Sequence, residues 1–265
     1  MKKLGFIGTG NMGGALVIAA AKSNPENELV LADKIIEKAD ALAKKTGGKL
    51  CDNVTVAAEA DYIFLGVKPQ MLKDTMEEIA PVLKKRNDRF VLVSMLAAFT
   101  CERIQNAAGG DYPVIRIMPN TPVSVGEGMI LYAPGEGVTE EETEFFLSAM
   151  EKAGRFSFLP EKLMDAGASV AGCGPAFVDL FVEALADGGV ACGLPRAQAI
   201  EFAAQMVSGA AKLILESGKH PGKLKDEVCS PGGTTIQGVR ALEKGGFRSA
   251  VTEAVIAAYE KNFEL

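Results

Sequence analysis

Residues 4–16 read LGFIGTGNMGGAL: a short apolar run, glycines at 8, 10 and 13, then a helix-forming run. A strand must turn abruptly into a helix here, and the G-x-G-x-x-G spacing sets how. Gly8 permits the tight turn, Gly10 lets backbone approach a pyrophosphate, and Gly13 lets helix and strand pack closely. The amides at the helix start then attract phosphate charge. The spacing predicts a dinucleotide site; the alternative is a glycine-rich turn with no ligand.

The next 150 residues place this motif in a repeating pattern. KLGFIG, ELVLAD, DYIFLGV, RFVLVSM and YPVIRIM are apolar runs bounded by Gly, Asp or Pro. They are continuous rather than alternating, so both faces are buried, as in a parallel sheet between helix layers. Amphipathic patterns predict helices over 11–23, 35–46, 69–85 and 101–108. The series is βαβ and implies a doubly wound sheet. GMILYA and GRFSFL, around an acidic helix over 139–152, extend that sheet at one edge. Asp33 closes the second run about 20 residues past the glycines, where an acid bonds the adenosine ribose and favours NAD. Lys34 beside it suits a 2′-phosphate and favours NADP, so the preference stays open. Asp33 also suits a cap for the helix over 35–46. GVKPQ and SMLAA fall at carboxyl ends of strands, where open α/β sheets bind ligands. Position alone leaves Lys68 divided between a ligand contact and an ordinary surface lysine.

From about 161 the strand signals stop. Helices are expected over 161–171, 175–192, 196–217, 221–228, 234–245 and 248–263. Many are apolar on more than one face, which requires burial, often against another subunit; the alternative is one compact monomer. The reading is two domains, 1–160 and 161–265, with the second forming an oligomer.

The 265 residues carry a formal charge of −6, with one histidine, no tryptophan and five scattered cysteines. The acidic balance argues against a nucleic-acid surface. The unpaired cysteines, without CxxC or Cys/His clusters, point to reduced thiols in the cytoplasm and no metal site. The start MKKLGFIGTG breaks at glycines and reads as a strand rather than a signal peptide. No run approaches ~18 uninterrupted apolar residues, so no membrane span is expected.

A second glycine cluster, CSPGGTTIQG at 229–238, is harder to explain as structure. Ser230 suits an N-cap and Pro231 a first helical turn. Two further glycines weaken a helix start by roughly 1 kcal/mol each. That cost is tolerable where a ligand touches backbone: free amides plus Ser and Thr hydroxyls make an anion cradle suited to a carboxylate. VAGCGPAF at 170–177 and RIMPNTP at 116–122 are further tight turns.

A nucleotide domain plus an anion cradle suggests hydride transfer. Reducing a ketone needs a proton donor, usually His or Lys. His220 lies in the exposed-looking ESGKHPGK, and no lysine falls in the middle of 175–192, where a hydroxyacid dehydrogenase would place one. A protonated C=N is already electrophilic and relaxes that demand; orientation and electrostatics then carry the catalysis.

Taken together, FIGTGNMG, GVKPQ, RIMPNTP, AGCGPAF and CSPGGTTIQGVRALEKGGFRSAV resemble the pyrroline-5-carboxylate reductases over essentially the whole chain. The resemblance implies an α/β Rossmann-type doubly wound N-terminal domain followed by an all-helical C-terminal dimerisation domain. It implies NADPH or NADH as cofactor, a small imino acid as substrate, and a homodimer that assembles into a decamer of five dimers. It marks Gly8, Thr9, Gly10, Asn11, Met12, Gly13, Asn53, Val67, Lys68, Pro69, Ala97 and Asn120 as cofactor contacts, alongside Asp33 and Lys34. It marks Ser230, Gly232, Gly233, Thr234 and Thr235 as holding the substrate carboxylate, with Thr235 on the ring nitrogen and Glu161 and Asp226 lining the pocket. Two departures stand out. Cys173 replaces the serine of the family's GSGPA, and a thiol bonds more weakly than a hydroxyl. Ala98 stands in a glycine position of the family's SMAAG-like run. The competing readings are a hydroxyacid dehydrogenase, which shares GFIGxGxMG but not SPGGTT, and a nucleotide-binding scaffold without turnover.

Overall fold

Eight strands form one sheet in the order β3-β2-β1-β4-β5-β6-β7-β8. They are β1 (Lys3–Ile7), β2 (Glu28–Ala32), β3 (Lys49–Leu50), β4 (Tyr62–Leu65), β5 (Val91–Ser94), β6 (Val114–Met118), β7 (Gly128–Pro134) and β8 (Gly154–Phe158). The first six run parallel, and β7 pairs antiparallel to β6 and parallel to β8. Strand order reverses between β1 and β4, so the carboxyl ends of these strands open a crevice there. This computed structural model describes residues 1–264.

Strand alternation sorts the core into two faces. Leu4, Phe6, Phe64, Val93 and Ile117 pack with α1 (Asn11–Ser23) and α6 (Glu140–Ala149), where Phe64 lies between Phe6 and Phe146. Ile7, Ile63, Leu65 and Leu92 pack on the other face with α3 (Asn53–Glu59), α4 (Leu72–Leu83) and α5 (Cys101–Ala108). Each buried Leu, Ile or Phe stabilises the unit by about 1.5–3 kcal/mol of transfer free energy. α2 (Ile36–Thr46) follows β2 and ends on left-handed Gly47.

All five expected strands and the edge pair are present. β3 and α3 were not expected. β3 is only two residues long and exposed, and α3 is a seven-residue helix fixed by Asp52, whose carboxylate accepts from the Thr55 amide at 2.7 Å. The helix expected over 69–85 is a 3-10 turn at Pro69–Met71 followed by α4.

The chain divides into two compact units, residues 1–173 with those from Tyr259 on, and Gly174–Ala258. The division lies past residue 160 because α7 (Met164–Ala171) packs on the sheet, Met164 meeting Leu131 and Ala133 of β7. Arg116, 2% exposed at the centre of β6, donates to Asp165 of α7 at 2.7 Å, while its Nε has no partner. Removing one member of such a pair leaves the other uncompensated. Asp165→Ala is therefore expected to destabilise the unit by about 3 kcal/mol, more than Arg116→Met, because it leaves a buried cation with only the longer ion pair to Glu161, at 3.8 Å. Urea unfolding of the two variants reads the order.

The second unit holds α8 (Gly174–Ala191), α9 (Arg196–Ser217), α10 (Pro221–Glu227) and α11 (Thr234–Lys244), with most of α12 (Phe247–Lys261). α8 and α9 meet at small residues: Ala186, Ala199 and Ala203 are the buried ones. Leu180, Phe202, Met206, Leu213 and Leu215 are half-exposed or more in the single chain. Residues 161–191 have the length of a membrane span and hold an 18-residue window of mean hydropathy 1.4, which bears on the expectation of none. The run carries Glu161, Asp165, Asp179, Glu183 and Asp187 along its length, and its helix breaks at Gly172–Cys173. A second chain covers such a face without asking bilayer lipid to solvate five acids.

Candidate active site

The glycines after β1 do three different jobs. Gly8 has φ +94°, and a Cβ there would meet the Gly66 backbone at 2.7 Å. A Cβ on Gly13 would stand 2.1 Å from the Gly8 carbonyl oxygen, so strand end and helix touch at backbone level. Gly10 differs. Its φ of −63° suits any residue, and a Cβ there would meet nothing within 4 Å. Neither conformation nor packing asks for glycine at 10, at the uncapped N-terminus of α1. A phosphate resting on that amide would.

A cleft of about 680 Å³ opens at the carboxyl ends of β1, β2 and β4. Gly8, Gly10, Asp33, Lys34, Asn53, Val67 and Lys68 all line it. Thr9 and Asn11 face the neighbouring cleft between α1 and α2, and Met12 packs into the core. Pro69 starts the 3-10 turn before α4 and lines a third cleft, between α4 and α5. Ala97 lies in the loop after β5, the next strand at the same sheet edge.

Three side chains are more committed than the sequence indicates. Asp33 accepts from the Thr9 amide at 2.6 Å and the Thr9 hydroxyl at 3.1 Å with one oxygen, and from the Ile35 amide at 2.8 Å with the other. It ties the glycine loop to the approach of α2, whose N-cap is Ile35, so Asp33 is not the cap itself. Asn120 is buried; its amide nitrogen donates to the Ala171 carbonyl at 2.9 Å and its oxygen accepts from the Met129 amide at 2.9 Å. It pins the end of β6 to α7 and β7. Glu161 accepts from the Cys101 amide at 2.7 Å, at the start of α5, and lies 3.8 Å from Arg116. Cys101 is buried, and burial pushes its thiol up to about 12, so it stays protonated and is no nucleophile.

In the helical unit, Ser230 is not an N-cap. α11 begins at Thr234 with Gly233 at the cap position and no side-chain cap bond. Ser230 instead closes a turn, its carbonyl accepting from the Gly233 amide at 3.0 Å. Gly232 sits at φ +71°, and a Cβ on Gly233 would strike the Ser230 hydroxyl at 2.4 Å. Gly232 is thus required by its backbone angle, whereas Gly233, at φ −72°, leaves room for the Ser230 hydroxyl. The result is a helix start with free amides, the exposed Ser230, Thr234 and Thr235 beside it, and no hydrogen bond to either threonine hydroxyl. Asp226 is exposed and paired with Lys225, whose ammonium holds its carboxyl below the usual range. His220 caps α10, its Nδ1 accepting from the Gly222 amide at 3.1 Å, which accounts for the one imidazole without catalysis. Among the described residues no cluster of His, Cys, Asp and Glu suits a metal.

A dinucleotide crevice in a doubly wound sheet, followed by a helical unit with exposed apolar faces, defines a nicotinamide-dependent oxidoreductase that works as an oligomer. Comparison with known proteins gives the same class and narrows it. A family model described as "NADP oxidoreductase coenzyme F420-dependent" matches residues 3–98, and one described as "Pyrroline-5-carboxylate reductase dimerisation" matches 161–265. The chain is 42% identical to the pyrroline-5-carboxylate reductase of Escherichia coli, over 100% of this chain and 98% of that one. It is 40% identical to the soybean (Glycine max) enzyme over 99% and 95%. The Coxiella burnetii reductase structure superposes with a TM-score of 0.90 at 30% identity, covering 99% and 98%. The Plasmodium falciparum reductase with NADP bound gives 0.86 at 31%, covering 98% and 97%. The chain belongs to the pyrroline-5-carboxylate reductase family.

Proposed function

We propose that this chain reduces the C=N bond of 1-pyrroline-5-carboxylate to proline with NADPH or NADH. The observation that carries this beyond family membership is the uncapped start of α11. Gly232 and Gly233 bend the chain so that the amides of the first helical turn stay free beside three hydroxyls. Those amides and Ser230 hold the substrate carboxylate, and the helix charge favours it there. Thr235 bonds the ring nitrogen and fixes the face on which hydride arrives. The nicotinamide, when bound, supplies that hydride to the ring carbon, and a proton ends on nitrogen. Gly10 takes the pyrophosphate. Asn120 positions rather than touches, since both polar ends of its side chain serve the loop around it. Glu161 and Asp226 enter this reading through the resemblance alone, because each already has a protein partner.

In this reading residues 1–160 bind the cofactor and 161–265 dimerise and hold substrate, with five dimers completing a decamer in the cytoplasm. A hydroxyacid dehydrogenase fits less well: α8 contains no lysine, and His220 is occupied as a cap. The test is isotopic. With nicotinamide deuterated at the donating carbon, deuterium should appear in proline on the carbon that was doubly bonded to nitrogen. Intact substrate and unoxidised cofactor would leave a scaffold.

Cofactor choice turns on Asp33. Its carboxylate faces the same cleft as Lys34 and Lys38, neither of which has an ion-pair partner among the described residues. Asp33→Asn keeps an acceptor for Thr9 and removes one negative charge. A unit charge about 4 Å from a 2′-phosphate is worth about 1 kcal/mol in water. The ratio of kcat/KM for NADPH over NADH is therefore expected to rise about fivefold in the variant. An unchanged ratio would make Asp33 a loop tether only.

A further inference from the structure

Ala98 is the one non-glycine residue with positive φ, +60°, among the described residues. An L-alanine pays for that conformation, because its Cβ crowds the following carbonyl. The cost falls in the loop after β5, where the related SMAAG-like run has glycine. Something has to hold Ala98 there, and the structure shows a single candidate. Arg103, two residues inside α5, donates from Nη1 to the Ala98 carbonyl at 2.7 Å. Its guanidinium lies 4.1 Å over the Phe99 ring, and its backbone amide donates to the Thr100 hydroxyl at 3.2 Å. Residues 98–103 thus close on themselves: the helix cap fixes the backbone of Arg103, the ring fixes its guanidinium, and the guanidinium fixes the direction of the Ala98 carbonyl. Rotating Ala98 into an ordinary region would swing that carbonyl away from Nη1.

The loop has a functional address. β5 is paired in parallel with β4, Ser94 opposite Leu65, and the Met95 amide reaches the Leu65 carbonyl at 3.5 Å. The residues directly after Leu65, Gly66, Val67 and Lys68, line the cofactor cleft. Residues 95–98 leave the sheet at that same edge. We propose that Arg103 is a positioning residue for the cofactor: it clamps Ala98 in its left-handed conformation and so sets the loop that borders the nicotinamide cleft. This rests on the cofactor reading of that cleft. It makes the arginine the counterpart of the alanine, each needed only because of the other.

The test is a double-mutant cycle read by cofactor fluorescence and by Tm. Arg103 is exposed, so Arg103→Ala leaves a folded protein. It should weaken NADPH or NADH, whichever binds tighter, by at least about fivefold, since an unclamped left-handed alanine relaxes. Ala98→Gly should raise Tm. In the Ala98→Gly background, Arg103→Ala should change the cofactor Kd less than about twofold, because glycine holds the conformation without help. A merely structural arginine would cost the same in both backgrounds. Equal losses in the two, or none in either while wild type binds normally, overturn the proposal alone. A wild type that binds neither cofactor overturns it together with the reading of the cleft.

Discussion

Thr235→Ala is expected to lower kcat/KM for the imine by roughly 10- to 1000-fold, about 1.4–4 kcal/mol of transition-state stabilisation, with cofactor Kd unchanged. The residue is exposed at the second position of α11, and its hydroxyl bonds nothing in the protein. Alanine is a better helix former than threonine, so the loss has no route through stability. Thr235→Ser, which keeps the oxygen, should recover most of the activity. If alanine and serine variants both matched wild type, Thr235 would leave the mechanism and the cradle would be a turn.

The second large effect separates two glycines three residues apart. Gly13→Ala places a methyl 2.1 Å from the Gly8 carbonyl oxygen, backbone against backbone, where no side chain can give way. Overpacking a core costs 1–3 kcal/mol, and a contact this short should reach or exceed about 3 kcal/mol, seen as a large fall in Tm or no folded protein. Gly10→Ala meets nothing within 4 Å and keeps an allowed φ. Its Tm should move little, since an N-cap glycine exceeds alanine by at most about 1 kcal/mol. Its cofactor KM should rise roughly 10- to 100-fold, the 1–3 kcal/mol of overpacking now falling on the bound pyrophosphate. The same change would thus damage folding at one site and binding at the other. Normal cofactor binding by Gly10→Ala would remove the pyrophosphate from that amide.

How much could be read from the chain depends on the range of the interactions involved. The strand–glycine–helix start, the apolar runs and the extent of α1 are local, and their patterns survive without knowledge of partners. β3 and α3 escape because Lys49–Leu50 is too short for a pattern and Asn53–Glu59 is too short for a helical period. The site divides in the same way. Gly8, Gly10 and Gly13 announce themselves by spacing, whereas the saturation of Asp33 by Thr9 depends on two strands lying side by side. The bonds of Asn120 to Met129 and Ala171 are equally hidden, because those partners come from β7 and α7. The bond from the Cys101 amide to Glu161 spans 60 residues and leaves no local signal. One missed residue did leave a signal: Arg116 interrupts the apolar run VIRIM, and a charge in a buried strand requires a partner. Ala98 left a departure from a glycine position, but its φ and its clamp by Arg103 appear only with coordinates.

At SPGGTT the geometry corrects the expected cap. Ser-Pro suggests a capped helix, yet the helix starts four residues after Ser230, and the intervening glycines make a turn instead. A capped start would have engaged its amides with a side chain. This one leaves them without a side-chain partner.

The central claim is that an open Gly10 and an uncapped α11 serve one reaction, reduction of a cyclic imino acid. Oxidation of NADPH and of NADH by the purified protein, side by side with 1-pyrroline-5-carboxylate, tests it most directly. Turnover should require the imine and stop when its carboxylate is removed from the substrate. Cofactor oxidation indifferent to the imine, or none with either cofactor in folded protein, would contradict it.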